Sequence, residues 1–247
     1  MLREQTFAKL QAMKLHGMSA AFEEYVRGPA HDDMSFEERF TLMVERQWCW
    51  KEDRALGRRL QHAGLRQSAC LEDINYRHHR GLKRAQIEQL ASSQWIKQHQ
   101  NCIITGETGV GKSYLACALA QKACRDGYRA LYYYVPKLFR ELAVAQVDGS
   151  LMTLLKKIAK ADLLVIDDWG LSTLKPTQYR DFLEVLDDRH GAGSTLITSQ
   201  FPIDAWHDII ADPTVADAIL DRLVHTAHRI VLTGESMRKP RGTDKND

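Results

Sequence analysis

Eight consecutive residues, Gly106-Glu107-Thr108-Gly109-Val110-Gly111-Lys112-Ser113, meet the phosphate-loop spacing G-x-x-x-x-G-K-[ST] at every specified position. Gly106, Gly109 and Gly111 carry no Cβ to hold a polyphosphate off the main chain, so successive backbone N–H groups can turn onto phosphate oxygens. Glu107, Thr108 and Val110 complete that cradle. A helix opening near Lys112 adds its positive dipole end, Lys112 reaches the β- and γ-phosphates, and the Ser113 hydroxyl suits Mg²⁺. Further along, Asp162-Leu163-Leu164-Val165-Ile166-Asp167-Asp168 is an apolar run ending in two carboxylates. Asp167 is expected to hold Mg²⁺ through its water shell. Asp168 either orients the attacking water or caps the turn at Trp169-Gly170.

Three more polar residues stand where phosphoryl chemistry can use them. Gln200, with Ser199 as the alternate, closes the hydrophobic run Ser194–Ile197 and is a candidate contact for a γ-phosphate or its water. Arg222 stands among apolar neighbours in a helical stretch; it either reaches a nucleotide held by an adjacent subunit or pairs locally with Asp221 or Asp217. Arg238 is a candidate phosphate sensor within its own chain.

Positioning these groups requires a particular order of elements. Residues 101–105 read as a buried strand and 113–125 as a helix, so the glycine loop sits between strand and helix. From there the pattern alternates through 129–135, 136–146, 150–160, 162–167, 176–190, 194–199, 203–211, 214–227 and 228–232, which predicts an α/β fold with a parallel sheet sandwiched by helices. Ligands of such sheets collect at the carboxyl ends of the strands, where the loop, Asp167 and Asp168 all fall.

The front of the chain is different. Residues 2–26 repeat apolar side chains at helical spacing, with a break expected near Gly17-Met18-Ser19. Ser35 and Glu38 match a capping box, and Phe36, Phe40, Met43, Gln47 and Trp50 form a stripe toward residue 60, packed either within a helical domain or on a partner. The 247 residues thus divide as a helical domain over 1–85 and a sheet domain over 86–247. Net charge is only +2, yet residues 46–84 hold ten Lys/Arg against four acids. That excess, with Arg54, Arg58, Arg59, Arg77, Arg80, Lys83 and Arg84 as candidate DNA contacts, is either a phosphate-tracking surface or a solvated face. Five cysteines without metal-ligand spacing argue against a disulfide framework and a zinc site and suit a reducing cytoplasm. No apolar run is long enough to span a membrane.

With GETGVGKS, LLVIDDWG, TLITSQ, Asp221-Arg222-Leu223 and Ser236-Met237-Arg238 in order behind a short helical region containing MKLHGMSAAFEE and FEERFTLMVERQ, the chain resembles the AAA+ ATPases of the initiator and helicase-loader group, and within it the IstB-like helpers of insertion-sequence transposition. The resemblance covers nearly the whole chain. It implies an ASCE-type P-loop sheet, ATP with Mg²⁺ as cofactors, self-assembly into a homo-oligomer on double-stranded DNA, and delivery of that DNA to a cognate transposase. It also implies Lys112 and Ser113 as Walker A, Asp167 and Asp168 as Walker B, Gln200 as sensor 1, Arg222 as arginine finger and Arg238 as sensor 2. Asp168 departs from the Glu common in AAA+ proteins, and the shorter carboxylate implies slow hydrolysis. A DnaC-like replicative helicase loader is the alternative within the same fold.

Overall fold

Apolar runs alternating with amphipathic stretches become strands and helices largely where the periodicity puts them. The computed structural model of the chain describes residues 2–27, 34–78, 80–210 and 212–237. In chain order these form α1 (Leu2–Ala12), α2 (His16–Arg27), α3 (Phe36–Ala63), α4 (Arg84–Ala91), α5 (Gln94–Lys97), β1 (Cys102–Gly106), α6 (Lys112–Arg125), β2 (Ala130–Tyr134), α7 (Val135–Asp148), α8 (Leu151–Ala159), β3 (Leu163–Trp169), α9 (Pro176–Asp187), β4 (Ser194–Ser199), a 3₁₀ turn (Ile203–Ala205), α10 (Trp206–Ile209), α11 (Pro213–Val224) and β5 (His228–Leu232). Among the described residues no helix is long and apolar enough to cross a membrane.

The chain divides into two compact units, Met1–Arg58 and Arg59–Asp247. The sequence reading puts its boundary at 85/86, at the start of the short helix and connector that lead into the first strand. Packing divides the chain earlier, within α3, because Ala63, Ala69, Leu71 and Ile74 are buried side chains of the segment that follows.

In the first unit the α1–α2 break falls at Met13–Leu15, not at Gly17–Ser19, because Lys14 takes the left-handed conformation (φ 60°) that ends α1. Gly17 instead lies in α2 and donates its N–H to Gln47 Oε1 at 2.9 Å. The capping box forms: Ser35 N–H donates to Glu38 Oε2 (2.7 Å), and Glu38 N–H to Ser35 Oγ (3.3 Å). Among described residues of this unit only Leu10, Gly17 and Ser19 are buried; of the expected stripe Phe36 and Phe40 are exposed and Met43, Gln47 and Trp50 half-buried, while Trp48, outside it, is exposed. The aromatic stripe is therefore only partly absorbed by its own helices.

The second unit is built on a five-stranded sheet of order β2-β3-β4-β1-β5, parallel throughout. Helix α6 crosses one face, with α4 beside it. On the other, α7, α8, α9 and α11 enclose a core that contains Ile103, Leu164, Ile166 and Ile197. Trp169 anchors it, stacked on Phe182 with ring centroids 4.5 Å apart and edge-on to Tyr179. Because β4 lies between β1 and β3, its carboxyl end stands between the phosphate loop and the paired aspartates.

Arg189, just past α9, is 1 % exposed. Its Nη1 donates to Ile158 O and Ala161 O (2.8 Å each), and its Nη2 to Ser194 O (2.5 Å), so it ties the end of α8 to the start of β4. Burial pulls its pKa down to about 10. Arg189→Ala removes a donor from three carbonyls, of which Ile158 O keeps the Ala161 N–H, and opens a cavity, and urea denaturation is expected to register a loss of about 3–5 kcal/mol. A loss below about 1 kcal/mol would mean that water replaces the guanidinium at little cost.

Candidate functional site

The phosphate loop spans the end of β1 and the start of α6. Gly106 shows why the loop needs glycine: at φ 147°, a Cβ there would stand 2.1 Å from Leu232 O on the neighbouring strand. Glu107, Thr108, Gly109, Val110 and Gly111 follow, and Lys112 opens α6. Lys112 is 5 % exposed, and its Nζ donates to Gly106 O and Glu107 O at 2.7 Å each. The ammonium thus braces the loop whose phosphates it is suited to neutralise.

At Asp167 and Asp168 the regular strand is interrupted. Register with β4 runs Ile166↔Ile197 and resumes at Trp169↔Ser199, so β3 carries one extra residue, and Asp168 takes φ 65°. In an unbroken strand adjacent side chains face opposite sides of the sheet. A bulge lifts that constraint, and both carboxylates reach the same Arg66 Nη1, Asp167 Oδ2 at 3.4 Å and Asp168 Oδ2 at 3.6 Å. Asp167 is fully buried and also accepts from Ser113 Oγ (2.9 Å), Thr198 Oγ1 (2.6 Å) and Tyr132 OH (2.5 Å). The Asp168 N–H donates to Thr198 Oγ1 at 2.9 Å, so one β4 hydroxyl links both acidic positions.

The donor set fits magnesium held with a nucleotide. Ser113 directs its proton to Asp167, which leaves the hydroxyl oxygen's lone pairs for a hard cation, and Asp167 would serve such an ion from behind that hydroxyl. Among the described residues no cluster of three His, Cys, Asp or Glu gathers to hold a metal by itself.

The site opens into a cleft of about 750 Å³ lined by the loop, Asp168, Gln200, Tyr134, Arg66, Gln67, Asp73–Asn75, Arg80 and Met237. Gln200 reaches the loop from the end of β4, accepting from Thr108 Oγ1 at 2.8 Å. Its alternate, Ser199, is buried and donates to Trp169 O. Sequence reasoning missed Arg66, Tyr132, Tyr134 and Thr198. Arg66 counted there as surface charge, but it lies over the Tyr134 ring at 5.4 Å. Partial burial works against its charge, yet interaction with Tyr132 and the fields of Asp167 and Asp168 raise its pKa above the usual value. Burial and the hydrogen bond to Asp167 push the Tyr132 hydroxyl upward, keeping it a proton donor. Thr198 is legible in the sequence only as the polar end of a strand.

Arg222 is not among these groups. Asn101, just before β1, donates to Arg222 O (2.8 Å) and Leu223 O (3.2 Å), so this part of α11 lies at the amino end of the sheet. The loop follows the other end of the five-residue strand, about 16 Å away. Arg222 itself pairs with Asp187, donates to Ala218 O and lies 3.9 Å from Asp221. Arg238 lies outside the described residues.

The proposed DNA contacts separate. Arg54 and Arg58 are exposed on α3, Arg54 over the Trp50 ring, and both belong to the first unit. Arg77 and Lys83 are exposed in the second unit, as is Arg84, which pairs with Glu88 at 2.9 Å. Arg59 is half-buried and donates from Nε to Cys124 O (2.7 Å). Arg80 is a correction: at 5 % exposure, hydrogen-bonded to Val110 O, it offers a duplex no surface.

The chain is similar to known proteins in sequence and in fold. An insertion sequence ATP-binding protein of Sinorhizobium fredii, y4pL, is 50 % identical over 239 residues, covering 97 % of this chain and 98 % of that protein. The crystal structure of DnaI matches with TM-score 0.57 and 26 % identity, covering 68 % of this chain and 92 % of that one. The DnaC helicase loader matches with TM-score 0.53 and 20 % identity over 70 % of this chain and 98 % of its own, a likeness of fold. The fold is that of the P-loop AAA+ proteins, a parallel sheet between helices behind an all-helical amino-terminal region. Matched across residues 8–244 by the family described as IstB-like ATP binding protein, the chain belongs to that family.

Proposed function

We propose that this protein is an Mg²⁺-dependent ATPase that assembles on double-stranded DNA when ATP is bound and presents that DNA to a transposase. The reading rests above all on the network of Ser113, Thr198 and Tyr132 around a buried Asp167, beside Lys112 in the phosphate loop. Water attacks the γ-phosphorus of ATP and ADP leaves; Mg²⁺, which Ser113 would hold with Asp167 behind it, would supply charge neutralisation when bound. Lys112 holds the β- and γ-oxygens, Asp167 fixes the Ser113 hydroxyl, and Asp168 orients the attacking water. Gln200, bonded to Thr108, contacts the γ-phosphate edge. The short Asp168 side chain makes turnover slow.

Arg222 supports the assembly part. A guanidinium anchored about one strand length from its own loop cannot serve its own nucleotide, and is available to a neighbour's once it exchanges Asp187 for phosphate. Assembly then aligns exposed cations such as Arg54, Arg58, Arg77 and Lys83 from many copies, multiplying weak backbone contacts. The exposed Phe36, Phe40 and Trp48 of the helical unit are the proposed partner face. The relatives found with insertion sequences favour a transposase there; the likeness to the DnaC loader keeps a replicative helicase as the second reading, and pull-down with each partner separates them.

Light scattering with a DNA duplex tests the scheme. Mass is expected to grow with ATP and duplex together, not with ADP, and Arg222→Ala is expected to abolish that growth while nucleotide binding stays within about threefold of wild type. A wild-type protein of one size in every condition would remove the assembly mechanism.

A further inference from the structure

The correction at Arg80 leaves a physical question: why a guanidinium is buried beside the phosphate loop. Its Nη1 donates to Val110 O at 3.1 Å and touches Met237 Sδ at 3.1 Å, while its buried Nε has no hydrogen-bond partner among the described residues. Burial lowers its pKa, opposed in part by Tyr76 and Tyr114. Among the described residues no carboxylate pairs with it. Arg189 makes a useful contrast, because that buried guanidinium spends its donors on three carbonyls and lines no nucleotide cleft.

Arginine does not shed its proton, so Arg80 keeps a cation where desolvation penalises it. An arriving polyanion offsets that penalty. The surroundings are already set for it: Thr233 N–H donates to Arg80 O (3.0 Å), and Met237 N–H to Gly109 O (2.9 Å), so the stretch after β5 straps both Arg80 and the loop. At Gly111, φ 97°, a Cβ would stand 2.5 Å from Arg80 Nη1, so only glycine admits this approach.

We infer that Arg80 is a positioning residue for the nucleotide's polyphosphate, acting through the Val110–Gly111 peptide. In a phosphate cradle the N–H groups face the anion and the carbonyls face away. A guanidinium on Val110 O polarises that peptide, which strengthens the Gly111 N–H as a donor and adds positive charge on the loop's outer side. The inference rests on residues 106–113 being the ATP site and goes beyond it by assigning to a residue outside the loop the preference for phosphate over nucleoside.

The test compares adenosine, ADP and ATP binding, by calorimetry and by competition against a fluorescent nucleotide, with the melting temperature of ligand-free protein. Arg80→Met preserves bulk and removes charge: ADP and ATP are expected to bind about tenfold or more weakly, adenosine unchanged, while the ligand-free melting temperature holds or rises because an unpaired buried charge is gone. Arg80→Lys, which retains charge, is expected within about threefold of wild type. Arg80→Met that binds ADP like wild type, or that weakens adenosine and ADP equally while melting lower, overturns the assignment in favour of a plain structural strut. Should Arg80→Met not fold, Arg80→Gln, which keeps a donor for Val110 O, is read by the same two criteria. Wild-type protein that binds no nucleotide overturns the ATP site itself, and is distinguishable from wild type that binds while the variants match it.

Discussion

Lys112→Ala is expected to lower ATP affinity by about a hundredfold or more and ADP affinity, with one phosphate contact fewer to lose, by about tenfold or more. Charge-assisted hydrogen bonds to phosphate contribute about 1.5–3 kcal/mol each, and the ammonium can make one to each of two phosphates. Stability is expected to move much less. The substitution removes the bonds to Gly106 O and Glu107 O but also takes a cation out of a site that is 5 % exposed, and these effects oppose each other. Fluorescent-nucleotide titration together with thermal melting separates the two readouts. Affinity within about threefold of wild type would show that the loop's backbone alone holds the ligand and that Lys112 is a brace.

Asp167→Asn should do damage of a different kind. The buried carboxylate takes three hydroxyl donors, from Ser113, Thr198 and Tyr132, with Arg66 at 3.4 Å. An amide has one acceptor oxygen and turns an NH₂ toward groups that are themselves donors, so at least one hydroxyl is stranded or reversed. Urea denaturation is expected to show a loss of about 2–4 kcal/mol from unpaired groups in this buried network. Phosphate release should fall by about 10²–10³, with the Mg²⁺ concentration for half-maximal rate raised. Nucleotide binding without Mg²⁺ should be nearly unchanged, because Lys112 and the loop remain. Turnover and Mg²⁺ dependence equal to wild type would exclude Asp167 from metal handling.

Asp168 and Arg66 stand beside Asp167 in less protected positions. The bulge at Asp167–Asp168 turns two neighbouring carboxylates toward one guanidinium. Arg66 follows the last residue of α3 by three positions, and α3 begins in the helical unit. The segment that ends that helix therefore contributes directly to the charge balance at the acidic pair.

Local rules made much of this protein readable. The glycine loop is recognisable because phosphate binding demands fixed residue types at fixed offsets, and β3 because a fully buried parallel strand must be apolar until it emerges at the carboxyl end. Helices α6, α7, α8 and α9 lie close to where the apolar period puts them. The α1–α2 break was less legible: Gly17 looks like a breaker, yet the chain turns at Lys14 and uses Gly17 to bring α2 near Gln47.

Cations were the hardest to read. Arg66, Arg77, Arg80 and Lys83 look alike in a basic stretch, yet the first meets the acidic pair, the third is buried against Val110, and the other two are exposed. A charge has no periodicity that reveals its destination; long flexible side chains go wherever the packed backbone leaves a partner or a gap. Thr198 was hidden for a related reason, since its importance comes from β4 lying between β1 and β3. Sequence alone determined the order of strands and helices, the phosphate loop and the acidic pair, because those depend on interactions within a few residues. Only the tertiary structure decided which hydroxyls and guanidinium groups converge on them, because that follows from strand order, one bulged residue and the burial of side chains far apart in the chain.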